Sequence, residues 1–487
     1  MKSLQDILYK VPIEAVKGDT NIEISSLHFD SRKLQENDAF IAIRGEAADG
    51  HDFIQSAVAQ GIKAVICEIF PEEIAPEVTY IKCKDSREAL AIMASNYYEN
   101  PSENLKLVGI TGTNGKTTVS SLLFQMFKKL GFKVGLISTV VIKVDETDYA
   151  TKLTTPDSLT INNYLKMMND AGVEFCFMEV SSHGIAQHRT SGLEFAGGIF
   201  TNLSHDHLDY HKSFAEYRDV KKRFFDELPN SAFAITNIDD KNGRYMLQNT
   251  KAKTSSYGLK NLADYKVKIL EKGFSGLKLN INGSEIWSTF IGDFNAYNLV
   301  AVYAATDLLG VEELENLQYL SSLKPVAGRF QHFVSKSGVN VIVDYAHTPD
   351  ALQNVLQTAN DIRTKNEELI CVVGCGGDRD KTKRPTMGKI AANFSSKVIF
   401  TSDNPRTEDP DEILNDVEAG VEPQDFSKTL RVTLRDQAIK TACNLAKSGD
   451  IILIAGKGHE TYQEIHGVRR DFDDMKIVKS MLEQLNK

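Results

Sequence analysis

The stretch that most constrains this chain is 108–123, VGITGTNGKTTVSSLL. An apolar run at 105–110 reads as a buried strand. It breaks into Thr111-Gly112-Thr113-Asn114-Gly115-Lys116-Thr117-Thr118, and an apolar-periodic helix follows. Strand, glycine-rich turn and helix start together make a phosphate cradle. Backbone N–H groups point inward, the helix N-terminus carries partial positive charge, and Lys116 reaches the terminal phosphates. Thr117, directly after the lysine, is where such loops hold Mg²⁺ with a hydroxyl. The spacing departs from GxxxxGK[ST], which asks for glycine where Ile110 stands; the glycines here are Gly109 and Gly112. The bland alternative, a glycine-rich turn before a surface lysine, leaves the coincidence of strand, glycines, lysine, paired threonines and helix unexplained.

A chain of 487 residues has room for three domains at about 100–200 residues each. With 42% hydrophobic and 25% charged residues it reads as a soluble globular protein. A net charge of −10 argues against nucleic acid as partner, while a single nucleotide needs only a local basic patch. Six cysteines (Cys67, Cys83, Cys176, Cys371, Cys375, Cys443) lie mostly inside apolar runs and read as reduced, buried thiols of a cytoplasmic protein. Cys371 and Cys375 form the one close pair and read as strand-end residues, not a zinc site. The N-terminus shows no secretory signal, and nothing has the length of a membrane span.

The expected fold class is α/β in three domains. Residues 1–103 read as a small α/β domain, with strands at 39–43, 64–67 and 78–81. Asp30-Ser31-Arg32 interrupts it, by itself a plain turn with a solvated arginine. Asn100-Pro101-Ser102-Glu103-Asn104 is the linker. Residues 104–328 repeat strand, polar cluster and helix: 134–138, 174–179 into Val180-Ser181-Ser182-His183, 197–201 into a histidine-rich loop, and 232–236. That pattern suits a mostly parallel sheet whose ligand sits beyond the carboxyl ends of the strands. Alternation at 262–290 predicts antiparallel hairpins, and a helix over 295–309 ends at Gly310. Residues 329–487 restart the pattern as a Rossmann-like sheet with strands at 339–343, 369–373, 397–401 and 451–455, each ending in a chemically loaded loop.

Glu179 ends a buried strand, and near a phosphate loop it suits Mg²⁺, which takes one or two carboxylates besides phosphate oxygens. In His205-Asp206-His207-Leu208-Asp209-Tyr210-His211 the spacing is not that of a zinc site; His207 alone is singled out as a metal ligand. Ser213-Phe214-Ala215-Glu216 is a capping box that starts a helix. At about 100° per residue Phe214, Tyr217, Val220, Phe224, Phe225 and Leu228 share its apolar face, with Lys221 inside that face, Lys222 at its edge and Arg223 opposite. A charge run is usually a solvated face, which fits Lys222 and Arg223 and not Lys221. Burial lowers a lysine's pKa and makes its amine reactive; a lysine that snorkels past its neighbours satisfies the pattern equally. Thr348 and Pro349 read as N-cap and N1, which leaves Asp344 and His347 unexplained by capping. Asp403-Asn404-Pro405-Arg406 places a guanidinium after a proline-fixed turn, suited to gripping a carboxylate in two parallel hydrogen bonds. Arg379 and Glu460 are candidates to complete an amino-acid pocket, one for a carboxylate and one for an ammonium.

TGTNGKTT, TTPDS (154–158), EVSSH, NLSHDHLDYH, YRDVKKRFF, NAYN, GRF, DYAHTPD, GCGGDRDKTKRP, DNPR and GKGHE, in this order over nearly the whole chain, resemble the Mur ligases of peptidoglycan synthesis, in particular the branch that adds the third peptide residue. The resemblance implies a UDP-sugar domain (1–103), a central ATPase (104–328) and a C-terminal amino-acid domain (329–487). It implies an ATP-dependent amide-forming ligase working through an acyl phosphate, with UDP-MurNAc-L-Ala-D-Glu and meso-diaminopimelate as substrates, two Mg²⁺ sites, and a CO₂-derived carbamate on Lys221. By the same carry-over Thr117, Glu179, His207 and carbamylated Lys221 are metal ligands, with Lys116, Lys221 and His207 catalytic. Gly112, Thr113, Asn114, Gly115, Lys116, Thr117, Thr118, Asn295, Asn298, Arg329, Asp344 and His347 serve ATP. Ser31, Thr154, Thr155, Ser181, Gln187 and Arg189 hold the UDP-MurNAc-dipeptide. Arg379, Asp403, Asn404, Pro405, Arg406, Gly456 and Glu460 take diaminopimelate. In the family DNPR goes with diaminopimelate, and loss of its arginine goes with L-lysine. Val220, where the family has alanine, and His205, where many relatives carry arginine, depart from the pattern.

Three rivals remain at this stage: the same ligase adding L-lysine, a folylpolyglutamate synthase, and a nucleotide-binding regulatory protein. The long segment before the phosphate loop argues against the second. The loaded C-terminal loops argue against the third. The enzyme is expected to be a cytoplasmic monomer.

Overall fold

A computed structural model describes residues 1–45, 48–204, 210–364 and 366–487. The chain divides into two compact units. One comprises Met1–Gly112, Val119–Thr201 and Ala215–Ser256; the other comprises Thr113–Thr118, Asn202–Phe214 and Tyr257–Lys487.

The first unit holds two main sheets and a short antiparallel pair, Lys2–Ser3 with Glu23–Ile24. Near the N-terminus five strands lie in the order Ile13–Lys17, Thr79–Cys83, Ala64–Cys67, Ala39–Ile41, Leu27–His28, the last four mutually parallel. Their residues alternate between two cores. Ile41, Ile66 and Ile81 face one, packed by Leu90 and Met93 of the helix Ser86–Tyr97; Phe40, Val65 and Tyr80 face the other. Burial on both faces is why these strands read as unbroken apolar runs. In the second sheet Val134–Ile137, Phe175–Glu179, Lys106–Thr111, Gly197–Phe200 and Phe233–Asn237 lie side by side, with parallel pairing throughout. The helix Phe214–Asp226 packs on it where glycines leave room. A Cβ on Gly109 would stand 2.5 Å from Phe224, and one on Gly198 2.9 Å. Gly109 is therefore a packing glycine for this helix and not a member of the phosphate loop.

In the second unit Tyr265–Gly273, Gly276–Ile281 and Ser284–Ser288 form the expected antiparallel meander, followed by the helix Asp293–Leu308. A six-stranded sheet has the order Gln331–Val334, Asn340–Asp344, Ile451–Ala455, Leu369–Val373, Lys397–Phe400, Thr429–Arg431. The first strand is antiparallel to its neighbour and the rest run parallel. Register brings Asp344 and Val373 opposite Ala455, and Val373 opposite Phe400. The loops after these four strands thus leave from one edge of the sheet, where open α/β folds bind ligands. Alternate residues again face two cores, Cys371, Val373 and Leu453 on one side and Ile370, Val372 and Ile452 on the other.

All six cysteines are buried, though Cys371 sits inside its strand and not at its end. No helix among the described residues is long and apolar enough to cross a membrane.

Candidate active site

The phosphate loop follows the strand Lys106–Thr111 and ends at the helix Lys116–Lys129. Gly112 and Gly115 adopt φ of 148° and 86°, a region that favours glycine. The loop is braced by side chains far away in sequence. The Asn114 N–H donates to Asn202 Oδ1 (3.0 Å), and Asn202 Nδ2 returns a bond to the Asn114 carbonyl (3.1 Å). Asn114 Nδ2 and Ser204 Oγ both donate to Asp350 Oδ2, at 3.0 and 2.9 Å. Lys116 Nζ lies 2.8 Å from the Thr113 carbonyl. Arg329 donates to Thr117 Oγ1 (3.0 Å) and covers the Tyr345 ring at 4.7 Å. Two residues read separately from the sequence, 212 positions apart, thus meet at the hydroxyl expected to serve a metal.

Asp344 accepts the N–H groups of Phe330 (2.6 Å) and Ala346 (2.8 Å), while burial pushes its carboxyl up. Thr348 caps the helix Pro349–Ile362 with proline at its first turn, as its sequence predicts. His347 is exposed, its Nδ1 donating to the Tyr345 carbonyl (2.8 Å). Asn295 and Asn298 are buried and joined to each other at 3.1 Å on one face of their helix.

In the first unit Lys221 is 1% exposed, so its inward placement holds. Its Nζ donates to the Gly112 carbonyl at 2.9 Å and lies 3.4 Å from Thr111 Oγ1. Tyr217, Phe224, Phe225 and Leu228 are buried beside it, whereas Phe214 and Val220 are only half-buried. Lys222 corrects the sequence expectation. It is buried, because Asp226 one turn on pairs with its amine at 2.6 Å and the Tyr245 ring lies 5.6 Å away. Glu179 is fully buried and takes the Thr139 N–H (2.8 Å) and hydroxyl (3.1 Å). His207, expected as metal ligand and catalytic group, lies outside the described residues, as does His205.

Five of the six residues expected to hold the dipeptide form one cluster. Thr155 Oγ1 donates to the Glu179 carbonyl and accepts the Ser181 N–H. Arg189 donates to the Thr155 carbonyl (2.6 Å) and to Gln187 Oε1 (2.6 Å), and Thr154 meets Thr139 at 3.1 Å. Ser31 makes none of these contacts; it opens a 3₁₀ turn capped by Asp30, whose neighbour Arg32 pairs back onto Asp30.

On the edge of the six-stranded sheet, Asp403, Asn404, Pro405 and Arg406 interlock with the loop after the neighbouring strand Leu369–Val373 and with the loop after Ile451–Ala455, one strand further on. The Asn404 carbonyl takes the Gly377 N–H (2.9 Å), and Arg406 donates to the Gly377 carbonyl (2.7 Å). A Cβ on Gly456 would stand 2.5 Å from Asp403 Oδ2. Glu460 accepts Asn404 Nδ2 (2.7 Å). Arg379 is exposed on an open depression of about 430 Å³, and the polar partners of Glu460 among the described residues are Asn404 and Lys457. Sequence reasoning passed over Arg384, which is 1% exposed and bridges Glu408 and Asp416. The Arg384 guanidinium holds the Glu408 carboxyl down at about 2, aided by the Asp378 N–H and Lys381. A carboxyl whose folded pKa is depressed stabilises the fold above its unfolded value, here near 4.5, and loses that contribution as pH falls toward the folded value. Glu408→Gln is therefore expected to lower the melting temperature at neutral pH, with the gap from wild type closing between pH 4.5 and about 2. A gap independent of pH would contradict this assignment.

A glycine-rich phosphate loop on a parallel, doubly wound sheet, joined in one chain to a second sheet whose loops carry charged residues on one edge, defines a phosphate-loop α/β protein. Three family models match in succession: the Mur ligase family catalytic domain over residues 23–98, the Mur ligase middle domain over 110–306, and the Mur ligase glutamate ligase domain over 328–458. The chain belongs to the Mur ligase family. It is 52% identical over 485 residues, 99% of this chain and 100% of the other, to the UDP-N-acetylmuramoyl-L-alanyl-D-glutamate–2,6-diaminopimelate ligase of Cytophaga hutchinsonii. A solved structure of a ligase of that name matches with TM-score 0.70 and 32% identity, covering 100% of this chain and 99% of its own. The MurF ligase of Thermotoga maritima, solved in complex with ADP, shares the fold at TM-score 0.60 and 20% identity, over 94% of this chain and 97% of its own.

Proposed function

We propose that the chain is an ATP-dependent amide-forming ligase that adds meso-2,6-diaminopimelate to UDP-N-acetylmuramoyl-L-alanyl-D-glutamate during peptidoglycan precursor synthesis. The relative from Cytophaga hutchinsonii, named for this reaction, aligns from end to end. The observation that carries the choice of amino acid is the Asp403–Arg406 turn, braced through Gly377 and offering a guanidinium. Diaminopimelate is lysine with a second carboxylate at its far end, and Arg406 answers that carboxylate in a way lysine cannot exploit.

The reaction needs a carboxylate made electrophilic. The γ-phosphoryl group of ATP passes to the free carboxylate of the D-glutamate residue, releasing ADP. The amine of diaminopimelate, having lost a proton, attacks the acyl carbon, and the tetrahedral intermediate expels phosphate. Catalysis is mainly positioning and charge stabilisation. The loop N–H groups of 112–118 and Lys116 take the phosphates, while Arg329, Asp344, His347, Asn295 and Asn298 place the nucleotide. Thr154, Thr155, Ser181, Gln187 and Arg189, with Ser31, hold the UDP-MurNAc-dipeptide. Arg379, Asp403, Asn404, Pro405, Arg406, Gly456 and Glu460 hold the amino acid.

Thr117 offers a hydroxyl and Glu179 a buried carboxylate, hard oxygens of the kind Mg²⁺ takes; each, and His207, is proposed as a Mg²⁺ ligand, for two ions in all. Bound Mg²⁺ would screen the charge that builds on the transferring phosphoryl group. Lys221 is proposed to carry a carbamate. A carbamylated nitrogen keeps one N–H, enough for the Gly112 carbonyl at 2.9 Å, and turns the side chain from cation to anion. The three sequence-defined domains, 1–103, 104–328 and 329–487, serve UDP-sugar, ATP and amino acid in turn, in a cytoplasmic monomer.

Phosphate release from ATP in the presence of the UDP-MurNAc-dipeptide tests this reading. Release is expected with meso-diaminopimelate and not with L-lysine or without amino acid. Release with lysine alone would keep the ligase and remove the role given to Arg406. Release indifferent to the sugar-peptide would restore the nucleotide-switch alternative.

A further inference from the structure

Besides Lys221, one other lysine among the described residues is as deeply buried: Lys457, 0% exposed, in the loop after the strand Ile451–Ala455. An ammonium taken out of water needs charge and hydrogen-bond compensation. Lys457 Nζ finds it in two side chains. It donates to Asn404 Oδ1 at 3.0 Å and to Glu460 Oε2 at 3.0 Å, with the Tyr462 ring 5.5 Å away. Asn404 Nδ2 closes the triangle onto the same Glu460 Oε2 at 2.7 Å. Asn404 Oδ1 also takes the Glu464 N–H (3.0 Å), which ties the triangle to the hairpin of Tyr462–Ile465 and Val468–Asp471. That hairpin holds the arginine turn by its backbone. The Arg406 N–H donates to the Glu464 carbonyl, and the His466 N–H donates to the Arg406 carbonyl (2.7 Å).

Two features separate this lysine from an ordinary buried ion pair. The Arg435–Asp474 pair, fully buried, joins two helices and a strand end within the core layer. The hydrogen-bond partners of the Lys457 amine, among the described residues, instead belong to the edge that carries Arg406 and Glu460. Second, Glu460 Oε2 is filled by two donors, whereas Oε1 takes no hydrogen bond among the described residues. The carboxylate is thereby held in one orientation with one oxygen left for a ligand.

We propose that Lys457 is a positioning residue for the amino-acid substrate, fixing Glu460 and Asn404 so that Oε1 meets an ammonium while Arg406 meets the carboxylate of the same zwitterionic end. This rests on the ligase reading above. The test is steady-state kinetics of the full chain with each substrate varied in turn. Lys457→Met is expected to raise KM for meso-diaminopimelate about tenfold or more, the scale of a lost hydrogen bond to a charged group. KM for ATP should stay within about twofold. Lys457→Arg, which keeps charge and donors, should recover part of the loss. Lys457→Met combined with Glu460→Gln should be no worse than Glu460→Gln alone, since the two act as one unit. An unchanged KM for diaminopimelate, or equal rises for all substrates with no recovery by arginine, overturns the role. A wild-type enzyme with no diaminopimelate-dependent turnover overturns the functional reading itself, and this role with it.

Discussion

Lys221→Ala is expected to lower turnover by about 10³-fold or more at saturating substrates, the scale on which removal of one electrostatic stabiliser falls. The expectation starts from burial. A lysine 1% exposed, bonded to the carbonyl that opens the phosphate loop, is held where its nitrogen is shielded from water and fixed in direction. A buried amine is more easily deprotonated, and the neutral form is the one that reacts with CO₂. If the carbamate is the working form, wild-type activity falls when bicarbonate and CO₂ are stripped and returns when they are restored, while the alanine variant responds to neither. Labelled bicarbonate should give a carbamate carbon resonance in the wild type that is absent from the variant. A variant that keeps most of its turnover would show that Lys221 acts only in packing. A wild type indifferent to CO₂ with no such resonance would remove the carbamate and leave Lys221 acting as the amine bonded to the Gly112 carbonyl.

Lys116→Met is expected to be comparably severe, about 10³-fold in turnover, for a different reason. Its amine is the one side-chain cation that the loop itself supplies to the terminal phosphates, and methionine preserves length while removing the charge. The loop should stay folded, because Lys116 contributes one bond, to the Thr113 carbonyl, while Asn202, Ser204 and Asp350 supply the rest of its bracing. An unchanged melting temperature with phosphate release lost is the expected pair of results. Retained release would mean that the phosphates are held elsewhere.

What could be read from the sequence follows from where the physics is local. The strands at 64–67, 369–373 and 451–455 are buried on both faces, so continuous apolar runs marked them to the residue. The inward phase of Lys221 was legible because a helix repeats its faces every three or four residues. Lys222 was misjudged since its burial depends on Asp226 and on Tyr245, a ring from another element. Lys457 gave no signal, because a Gly-Lys-Gly loop has no periodicity to show which way its side chain turns. The meeting of Asn114 with Asp350, 236 residues apart, is a product of topology alone. Gly109 was legible as a glycine but not as the place where Phe224 approaches the sheet.

Whether this chain joins diaminopimelate to the sugar-dipeptide is read from the mass of the product. ATP, Mg²⁺, UDP-MurNAc-L-Ala-D-Glu and an equimolar mixture of meso-diaminopimelate and L-lysine are incubated with the enzyme, and the nucleotide-sugar products are weighed. The diaminopimelate tripeptide is expected as the dominant product. A lysine tripeptide in its place, or an unaltered dipeptide alongside hydrolysed ATP, would contradict it.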